Sequence, residues 1–235
     1  MKEWIYAYLV TPDHDIDQWL RANNVIITKT QEFADVVFFP GGSDVTPSLY
    51  GEKKLPVTRN DVERDLREVE AYHSIPSIVP KVGICRGSQF LNVMAGGKMY
   101  QDVNNHARGD HLASCKVTKQ VVSVTSTHHQ MMRPAPDGEV LMTASLSTRK
   151  VSEHGTIKYK TPPMDATSEA GIPCGRDVEV VWYPKERSLC YQPHPEYGNT
   201  DCEKHFWELY NTFIQPIVDK NTKELINYGE TSFWQ

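Results

Sequence analysis

Short apolar runs alternate with amphipathic segments along the first 97 residues of this 235-residue chain. Four runs are rich in β-branched and aromatic residues and predict strands at 4–10, 25–27, 35–39 and 79–84. Helical spacing and polar capping residues predict helices at 15–22, 60–73 and 87–95. Because strands alternate with helices, the sequence predicts an α/β fold: a mostly parallel central sheet with helices on both faces.

The pattern changes after residue 100. Further apolar runs at 115–124, 140–144, 178–183 and 188–191 predict strands that form a small antiparallel extension of the sheet. The polar segment 147–175 contains Pro162-Pro163 and is the candidate for a mobile insertion. An amphipathic helix at 202–219 is predicted to close the fold, followed by a short tail. Since no linker divides the chain, a single domain over 1–235 is expected.

Composition and charge narrow the class of protein. The net charge of −5 and the lack of a long basic block argue against a nucleic-acid-binding groove. The five cysteines are widely spaced and form no Cys-x-x-Cys pair, which indicates a reducing compartment. The N-terminal apolar run is too short for a signal peptide, and no run approaches the roughly 20 residues of a membrane span. We therefore expect a cytoplasmic protein with no membrane or nucleic-acid partner.

A candidate nucleophile lies between a predicted strand and a predicted helix, in Gly83-Ile84-Cys85-Arg86-Gly87. A nucleophile on such a sharp turn projects above the sheet, and the flanking glycines relieve the crowding of the turn. The helix N-terminus beneath Cys85 favours the thiolate, and the backbone N–H of Arg86 points to where an oxyanion would form. Alone, the pattern also fits a buried structural cysteine in a glycine-flanked turn.

A candidate base and its orienting group follow the last predicted strand, in Gln192-Pro193-His194-Pro195-Glu196. The prolines favour an extended conformation and forbid a helix. Residues two apart in an extended chain lie on the same face. Glu196 can therefore reach one imidazole nitrogen of His194 and leave the other to take a proton from a thiol. For this segment alone, a solvated histidine in a surface turn is the alternative.

Cys85, His194 and Glu196 together predict a nucleophile, a base and an orienting carboxylate, because two independent signals agree. A third element, Pro40-Gly41-Gly42, ends the third predicted strand. Ligands of parallel sheets bind at the carboxyl ends of strands, where this turn and the cysteine turn would meet. The backbone N–H of Gly42 is the second candidate oxyanion donor, although by itself the turn also fits a purely structural role.

These motifs resemble class I glutamine amidotransferases, whose fold is flavodoxin-like, and among them the γ-glutamyl-γ-aminobutyrate hydrolases. The resemblance covers about residues 35–200 and rests on four segments. They read PGGSDVTPSLYGE at 40–52, Arg64-Asp65-x-x-Glu68, GICRGSQFLNVMAGGKMYQD at 83–102, and Ser126-x-His128-His129-Gln130. The chain departs from that branch at Pro193, where an aromatic residue is usual, and at Cys190-Tyr191, where Gly-Val is common.

The resemblance implies hydrolysis of a small-molecule γ-glutamyl amide through a γ-glutamyl thioester on Cys85, without a cofactor. It implies that His194 is first the base and then the acid, and that Glu196 orients its ring. The backbone N–H groups of Gly42 and Arg86 would hold the oxyanion. The residues that the resemblance implies as substrate contacts are Gln89, Ser126, His128, His129 and Gln130.

Other functions and sites remain open from the sequence. The same three residues would serve a glutaminase that supplies ammonia to a synthetase on a separate chain. A non-catalytic binding module would keep the fold without the reaction, and a homodimer is compatible with either function. The spacings of four histidines match no zinc template, so no metal site is expected. These histidines are His106, His111, His128 and His129.

Overall fold

The computed structural model describes residues 4–144, 149–158 and 177–232. The strands in these residues are β1 (Ile5–Leu9), β2 (Val25–Ile27), β3 (Val36–Phe39), β4 (Lys81–Ile84), β5 (Lys98–Tyr100), β6 (Asp102–Val103), β7 (Asp110–Cys115), β8 (Val121–Thr125), β9 (Met131–Arg133), β10 (Glu139–Ala144), β11 (Arg149–Ser152), β12 (Gly155–Lys158), β13 (Asp177–Tyr183) and β14 (Ser188–Tyr191). The α-helices are α1 (His14–Ala22), α2 (Val62–Ser74), α3 (Arg86–Met94), α4 (Thr200–Phe213) and α5 (Gln215–Ser232).

One sheet contains nine of these strands, in the order β2-β1-β3-β4-β14-β13-β10-β7-β8. The strands from β2 to β14 pair in parallel, and those that continue from β13 to β8 pair antiparallel. This confirms the predicted parallel core with an antiparallel extension, which continues the same sheet. The short strands β5 and β9 pair with each other, and β11 pairs with both β6 and β12.

Helices cover both faces of the parallel core, as predicted. On one face, Trp19 of α1 meets Phe206 of α4 edge to face, with ring centroids 5.1 Å apart. On the other face, Phe90 of α3 stacks on Phe39 of β3 at 5.4 Å, and Tyr72 of α2 packs beside them. Burying side chains of this size contributes about 1.5–3 kcal/mol each, so both faces stabilise the sheet.

The predicted strand at 115–124 is wrong as a single element. The structure forms two antiparallel strands, β7 and β8, joined by a tight turn in which Lys119 has φ 60°. The Lys119 N–H donates to the Cys115 carbonyl at 3.0 Å, and the Cys115 N–H donates to the Gln120 carbonyl at 2.9 Å. The turn contains neither glycine nor proline, which are the residues that usually mark a turn in a sequence.

The predicted helix at 202–219 is two helices, and the predicted tail is largely helical. Helix α4 ends at Phe213 and α5 begins at Gln215. Pro216 explains the break, because its ring lacks an N–H and clashes with the carbonyl one turn earlier. The predicted insertion at 147–175 lies mostly outside the described residues, and its described part is the hairpin of β11 and β12. No helix in the described ranges has the length and apolarity needed to cross a membrane.

Candidate active site

The ends of three parallel strands bring the candidate residues together. Phe39 of β3 lies opposite Gly83 of β4, and Ile84 of β4 lies opposite Tyr191 of β14. The segments that follow these strands therefore meet at one edge of the sheet, where open α/β sheets bind ligands. The N–H of Cys85 donates to the Tyr191 carbonyl at 3.0 Å, which ties the cysteine turn to the segment that carries His194.

Cys85 occupies a strained turn between β4 and α3. Its φ of 50° and ψ of −111° are unusual for a residue with a side chain and cost about 1–3 kcal/mol. A Cβ atom at Gly83 would overlap the Gly87 carbonyl, and one at Gly87 would overlap the Phe39 carbonyl. Both glycines are therefore required by the close approach of strand and helix, as the sequence predicts. The N-terminus of α3 lies at Cys85, which is the residue that caps the helix.

The Arg64-Asp65-x-x-Glu68 motif supports this turn from α2. The Arg86 guanidinium is 2% exposed and forms ion pairs with Asp65 and Glu68. Glu68 also accepts a hydrogen bond from Arg64 Nε at 2.8 Å. Burial and the neighbouring Arg64 charge lower the pKa of Arg86 to about 9. Because removing one partner of a buried ion pair is costly, this network fixes the residue that follows Cys85.

The glycine turn after β3 lies against the cysteine and the histidine. A Cβ atom at Gly41 would lie 3.1 Å from His194 Cε1 and 3.8 Å from Cys85 Cβ. Gly42 has φ 138°, which favours glycine, and a Cβ atom there would overlap the Arg64 guanidinium. Arg64 Nη2 also donates to the Pro40 carbonyl at 3.2 Å. The predicted Gly42 is thus beside the site, and Gly41 is the glycine that directly faces both side chains.

Cys85, His194 and Glu196, here called the Cys85 cluster, lie in contact. His194 Nδ1 is 2.6 Å from Glu196 Oε1, and the two side chains are 8% and 2% exposed. Burial by itself lowers the pKa of His194. The Cys85 sulfur charge and the hydrogen bonds to Cys85 and Glu196 outweigh that effect and raise this pKa to about 10. The two partners therefore favour the protonated form of the imidazole over the neutral form.

Two further residues hold His194, and the sequence alone does not single them out. Thr125, the last residue of β8, accepts the His194 N–H at 2.7 Å and donates to its carbonyl at 3.1 Å. Tyr197 stacks on the imidazole with ring centroids 4.1 Å apart and planes 2° from parallel. Tyr197 directly follows the Pro195-Glu196 pair, so its position could have suggested a role. The contact of Thr125 is tertiary and has no local signal.

Three glutamines meet beside the cysteine turn. Gln89 Nε2 donates to Gln192 Oε1 at 3.1 Å and to the Gln130 carbonyl at 3.3 Å. All three side chains are buried. The structure therefore brings the predicted Gln89 and Gln130 together with Gln192, a member of the histidine motif whose side chain has no role predicted from the sequence.

The other predicted substrate contacts, Ser126, His128 and His129, bond to two different parts of the structure. Ser126 Oγ donates to the His106 carbonyl at 2.8 Å. His128 Nδ1 lies 2.8 Å from the Gln130 carbonyl, and burial lowers the pKa of His128 to about 4. His129 Nε2 instead lies 3.1 Å from Asp44 in the loop after the glycine turn, and this hydrogen bond raises the pKa of His129. The segment thus links the glycine loop to a group of buried histidines.

Solved structures of other proteins identify the fold. A Thermoplasma acidophilum protein, provisionally named as part of a GMP synthase, aligns over 96% of this chain and 99% of its own, with a TM-score of 0.61 and 13% identity. A glutamine amidotransferase from Thermotoga maritima aligns over 90% of this chain and 84% of its own, with a TM-score of 0.51 and 16% identity. The fold is that of class I glutamine amidotransferases.

The sequence comparison is more specific. The profile of the Peptidase C26 family matches residues 18–196, and the chain belongs to that family. The glutamine amidotransferase-like protein YvdE of Lactococcus lactis subsp. lactis is 42% identical over 74 residues, which are 30% of each chain. The chain thus spans about a third of the length of the first curated relatives it matches. The chain therefore combines membership of the Peptidase C26 family with the fold of class I glutamine amidotransferases.

Proposed function

We propose that the protein hydrolyses a γ-glutamyl amide bond with Cys85 as nucleophile, His194 as base and acid, and Glu196 as the group that orients His194. The observation that carries this proposal is the 2.6 Å contact between His194 Nδ1 and Glu196, with Cys85 as the other hydrogen-bond partner of the imidazole. A carboxylate in this position fixes the tautomer and orientation of the ring and stabilises the imidazolium.

The reaction would proceed in two halves. The Cys85 thiolate attacks the γ-carbonyl carbon, a C–S bond forms, and the carbonyl electrons move to oxygen. The backbone N–H groups of Gly42 and Arg86 would stabilise this oxyanion, each such donor being worth about 10²–10³-fold in rate. The C–N bond then breaks, and the leaving amine takes the proton of the His194 imidazolium. Finally, His194 removes a proton from water, the hydroxide attacks the thioester, and glutamate and the Cys85 thiol are released.

We assign substrate contacts to Gln89, Ser126, His129 and Gln130. His128, the other residue predicted from the sequence, instead turns its Nε2 toward Glu179 at 4.0 Å. His129 is the most accessible of these assigned residues, with 35% of its side chain exposed. Its raised pKa would favour a positive charge that could pair with the carboxylate of a glutamyl group. The Gln89 amide group and the Gln130 backbone carbonyl, which lie next to the cysteine turn, would contact the uncharged parts of the substrate.

The test uses the purified chain alone with glutamine and, separately, with γ-glutamyl-γ-aminobutyrate, and follows the release of glutamate. We expect turnover of a γ-glutamyl amide that is lost in Cys85→Ala. Alkylation of Cys85 by a glutamine-analogue inhibitor provides a second readout that does not require turnover. A chain that turns over neither substrate and resists alkylation at Cys85 would contradict the proposal and favour a non-catalytic binding module.

A second candidate function is a glutaminase component that delivers ammonia to a synthetase on another chain. The alignment with nearly the full length of a protein named as part of a GMP synthase favours this candidate. Weak turnover of both substrates, together with Cys85 that is readily alkylated, would support it. The free-standing hydrolase predicts rapid turnover of the γ-glutamyl amine without any added partner.

A further inference from the structure

A group of buried histidines surrounds one carboxylate in the antiparallel half of the sheet. We call His106, His111, His128 and Glu179 the histidine–glutamate cluster. Its members come from the loop after β6, from β7, from the loop after β8, and from β13. Each of the four side chains is buried. Titratable groups are rarely buried together without a binding or structural reason.

The donor atoms of the cluster converge on Glu179. His111 Nε2 lies 2.9 Å from Glu179 Oε1, and His106 Nδ1 lies 3.5 Å from the same oxygen. The ligand atoms of these three residues all lie within 4.8 Å of one another. On the other side of the carboxylate, His128 Nε2 lies 4.0 Å from Glu179 Oε2.

The hydrogen bonds of two imidazoles direct their lone pairs toward this carboxylate. His128 Nδ1 faces the Gln130 carbonyl at 2.8 Å. A carbonyl only accepts, so Nδ1 carries the proton and Nε2 carries the lone pair. His128 Nε2 and Glu179 Oε2 are buried and have no hydrogen-bond partner among the described residues. Two acceptors therefore face each other, an arrangement that a cation would stabilise.

A carboxylate outside the cluster orients His106 in the same way. Asp177 Oδ2 lies 2.8 Å from His106 Nε2, and Asp177 Oδ1 pairs with Lys150 at 2.5 Å. A histidine that ligates a metal usually donates its other ring N–H to a carboxylate or a carbonyl, which fixes the tautomer. His106 and His128 each show that arrangement.

We propose that the histidine–glutamate cluster binds one Zn²⁺ ion through His106 Nδ1, His111 Nε2, His128 Nε2 and the Glu179 carboxylate. Imidazole and carboxylate are common zinc ligands, at about 2.0–2.2 Å from the ion. Four ligands at that distance in a tetrahedron lie about 3.3 Å from one another. The distances from the three histidine nitrogens to the Glu179 oxygens, 2.9, 3.5 and 4.0 Å, bracket that value, so side-chain rotations would complete the coordination. The sequence spacing gave no reason to expect this site, because the fold brings its ligands together.

The ion would have a structural role. Four protein ligands close a tetrahedral site and leave no position for a substrate or a reactive water. The Glu179 carbonyl accepts the Gln192 N–H at 2.8 Å, two residues before His194. Thr125, which binds the His194 backbone, directly precedes Ser126, whose hydroxyl donates to the His106 carbonyl. The ion would therefore stabilise the segments that hold His194 in position.

Zinc titration of the full chain tests the proposal. Cys85→Ala is the background, because the Cys85 cluster could itself bind zinc through its thiolate. Competition with a chromophoric chelator gives affinity and stoichiometry, and Co²⁺ substitution gives visible bands diagnostic of tetrahedral coordination. We expect one ion per chain. Glu179→Gln and His128→Gln should each lower affinity at least ~100-fold, since even residues outside the coordination sphere cost about 10–100-fold.

His205→Gln is the matched control, because His205 is also a buried histidine but lies in α4 beside Tyr191. It should keep the stoichiometry, the affinity and the thermal shift that zinc produces. Two outcomes would overturn the proposal: no stoichiometric zinc in the Cys85→Ala chain, or equal zinc affinity in Glu179→Gln and its parent. Should Glu179→Gln fail to fold, His128→Gln and the Co²⁺ spectrum of the parent decide. None of these readouts depends on turnover, so the proposed hydrolase activity stands or falls separately.

Discussion

The parallel and antiparallel halves of the sheet build their polar sites in different ways. In the parallel half, Cys85 follows β4 directly, and His194 and Glu196 follow β14 within five residues. In the antiparallel half, the histidine–glutamate cluster draws its four members from four separate segments. Local sequence therefore reveals the first site, whereas the second depends on tertiary pairing. The contrast predicts that chemistry belongs to the parallel half and support to the antiparallel half.

Replacing each of two buried cysteines in turn tests that contrast with the largest expected effect. Cys85 and Cys115 are both buried and free, but Cys85 ends a parallel strand beside His194 and Cys115 ends β7 in the antiparallel half. Cys85→Ala should lower kcat by at least ~10⁴-fold, because loss of a nucleophile removes the covalent route. Cys115→Ala should retain turnover. Glutamate release by the two variants, with circular dichroism as the check on folding, makes the measurement.

Either of two results would break the contrast. Equal activity of Cys85→Ala and the wild type would remove the covalent mechanism. A comparable loss in a well-folded Cys115→Ala would mean that the antiparallel half takes part in the chemistry. Cys190 and Cys202 are poor nucleophiles, since burial raises the pKa of both thiols.

Within the parallel half, the ion pairs of Arg86 with Asp65 and Glu68 stabilise the cysteine turn. Asp65→Asn should lower the free energy of unfolding by about 3 kcal/mol, because it leaves a buried guanidinium with one carboxylate partner. Denaturant unfolding measures the change. Asp17→Asn is the control, since Asp17 pairs with the exposed Arg21 and solvent weakens that pair. Equal losses in the two variants would mean that Arg86 does not depend on its buried partners.

The sequence predicts the parallel half well for a physical reason. Buried parallel strands form continuous apolar runs, and the turns that carry chemistry need glycine or proline at fixed positions, as Gly83 and Gly87 show. The antiparallel half lacks such markers, so the turn between β7 and β8 was missed. Pro216 indicates a helix break, but the helical spacing of apolar residues continues past it, so the sequence pattern does not predict where α5 begins. The role of Thr125 depends on contacts between distant segments, which no local pattern records.

Removing the charge of the orienting carboxylate, Glu196, should have a smaller effect on turnover and should change the pH dependence of stability. His194→Ala should nearly abolish turnover, whereas Glu196→Gln should lower turnover about 10–100-fold, because an amide oxygen can still accept the imidazole N–H.

The pKa of His194 is higher in the folded chain than in the unfolded chain, where it is near 6.5. Protonated His194 therefore stabilises the folded chain fully below pH 6.5, and this contribution is lost as pH rises through about 10. Without the Glu196 charge the pKa falls, so the upper limit of that window moves down. An NMR titration of His194 measures the midpoint, and an unchanged midpoint would contradict the assigned partner.

Thr125 gives the smallest expected effect and links the two halves of the sheet. It belongs to the antiparallel half, and yet it forms hydrogen bonds with both backbone polar groups of His194. Thr125→Val keeps the shape but leaves a buried N–H and a buried carbonyl unpaired, at a cost of about 1–2 kcal/mol in unfolding free energy. Because His194 would be held less rigidly, kcat should fall while KM changes little. Thr125→Ser retains the hydroxyl and should restore kcat. If valine and serine behave alike, the methyl packing of Thr125 matters rather than its hydrogen bonds, and the antiparallel half does not position the base through this residue.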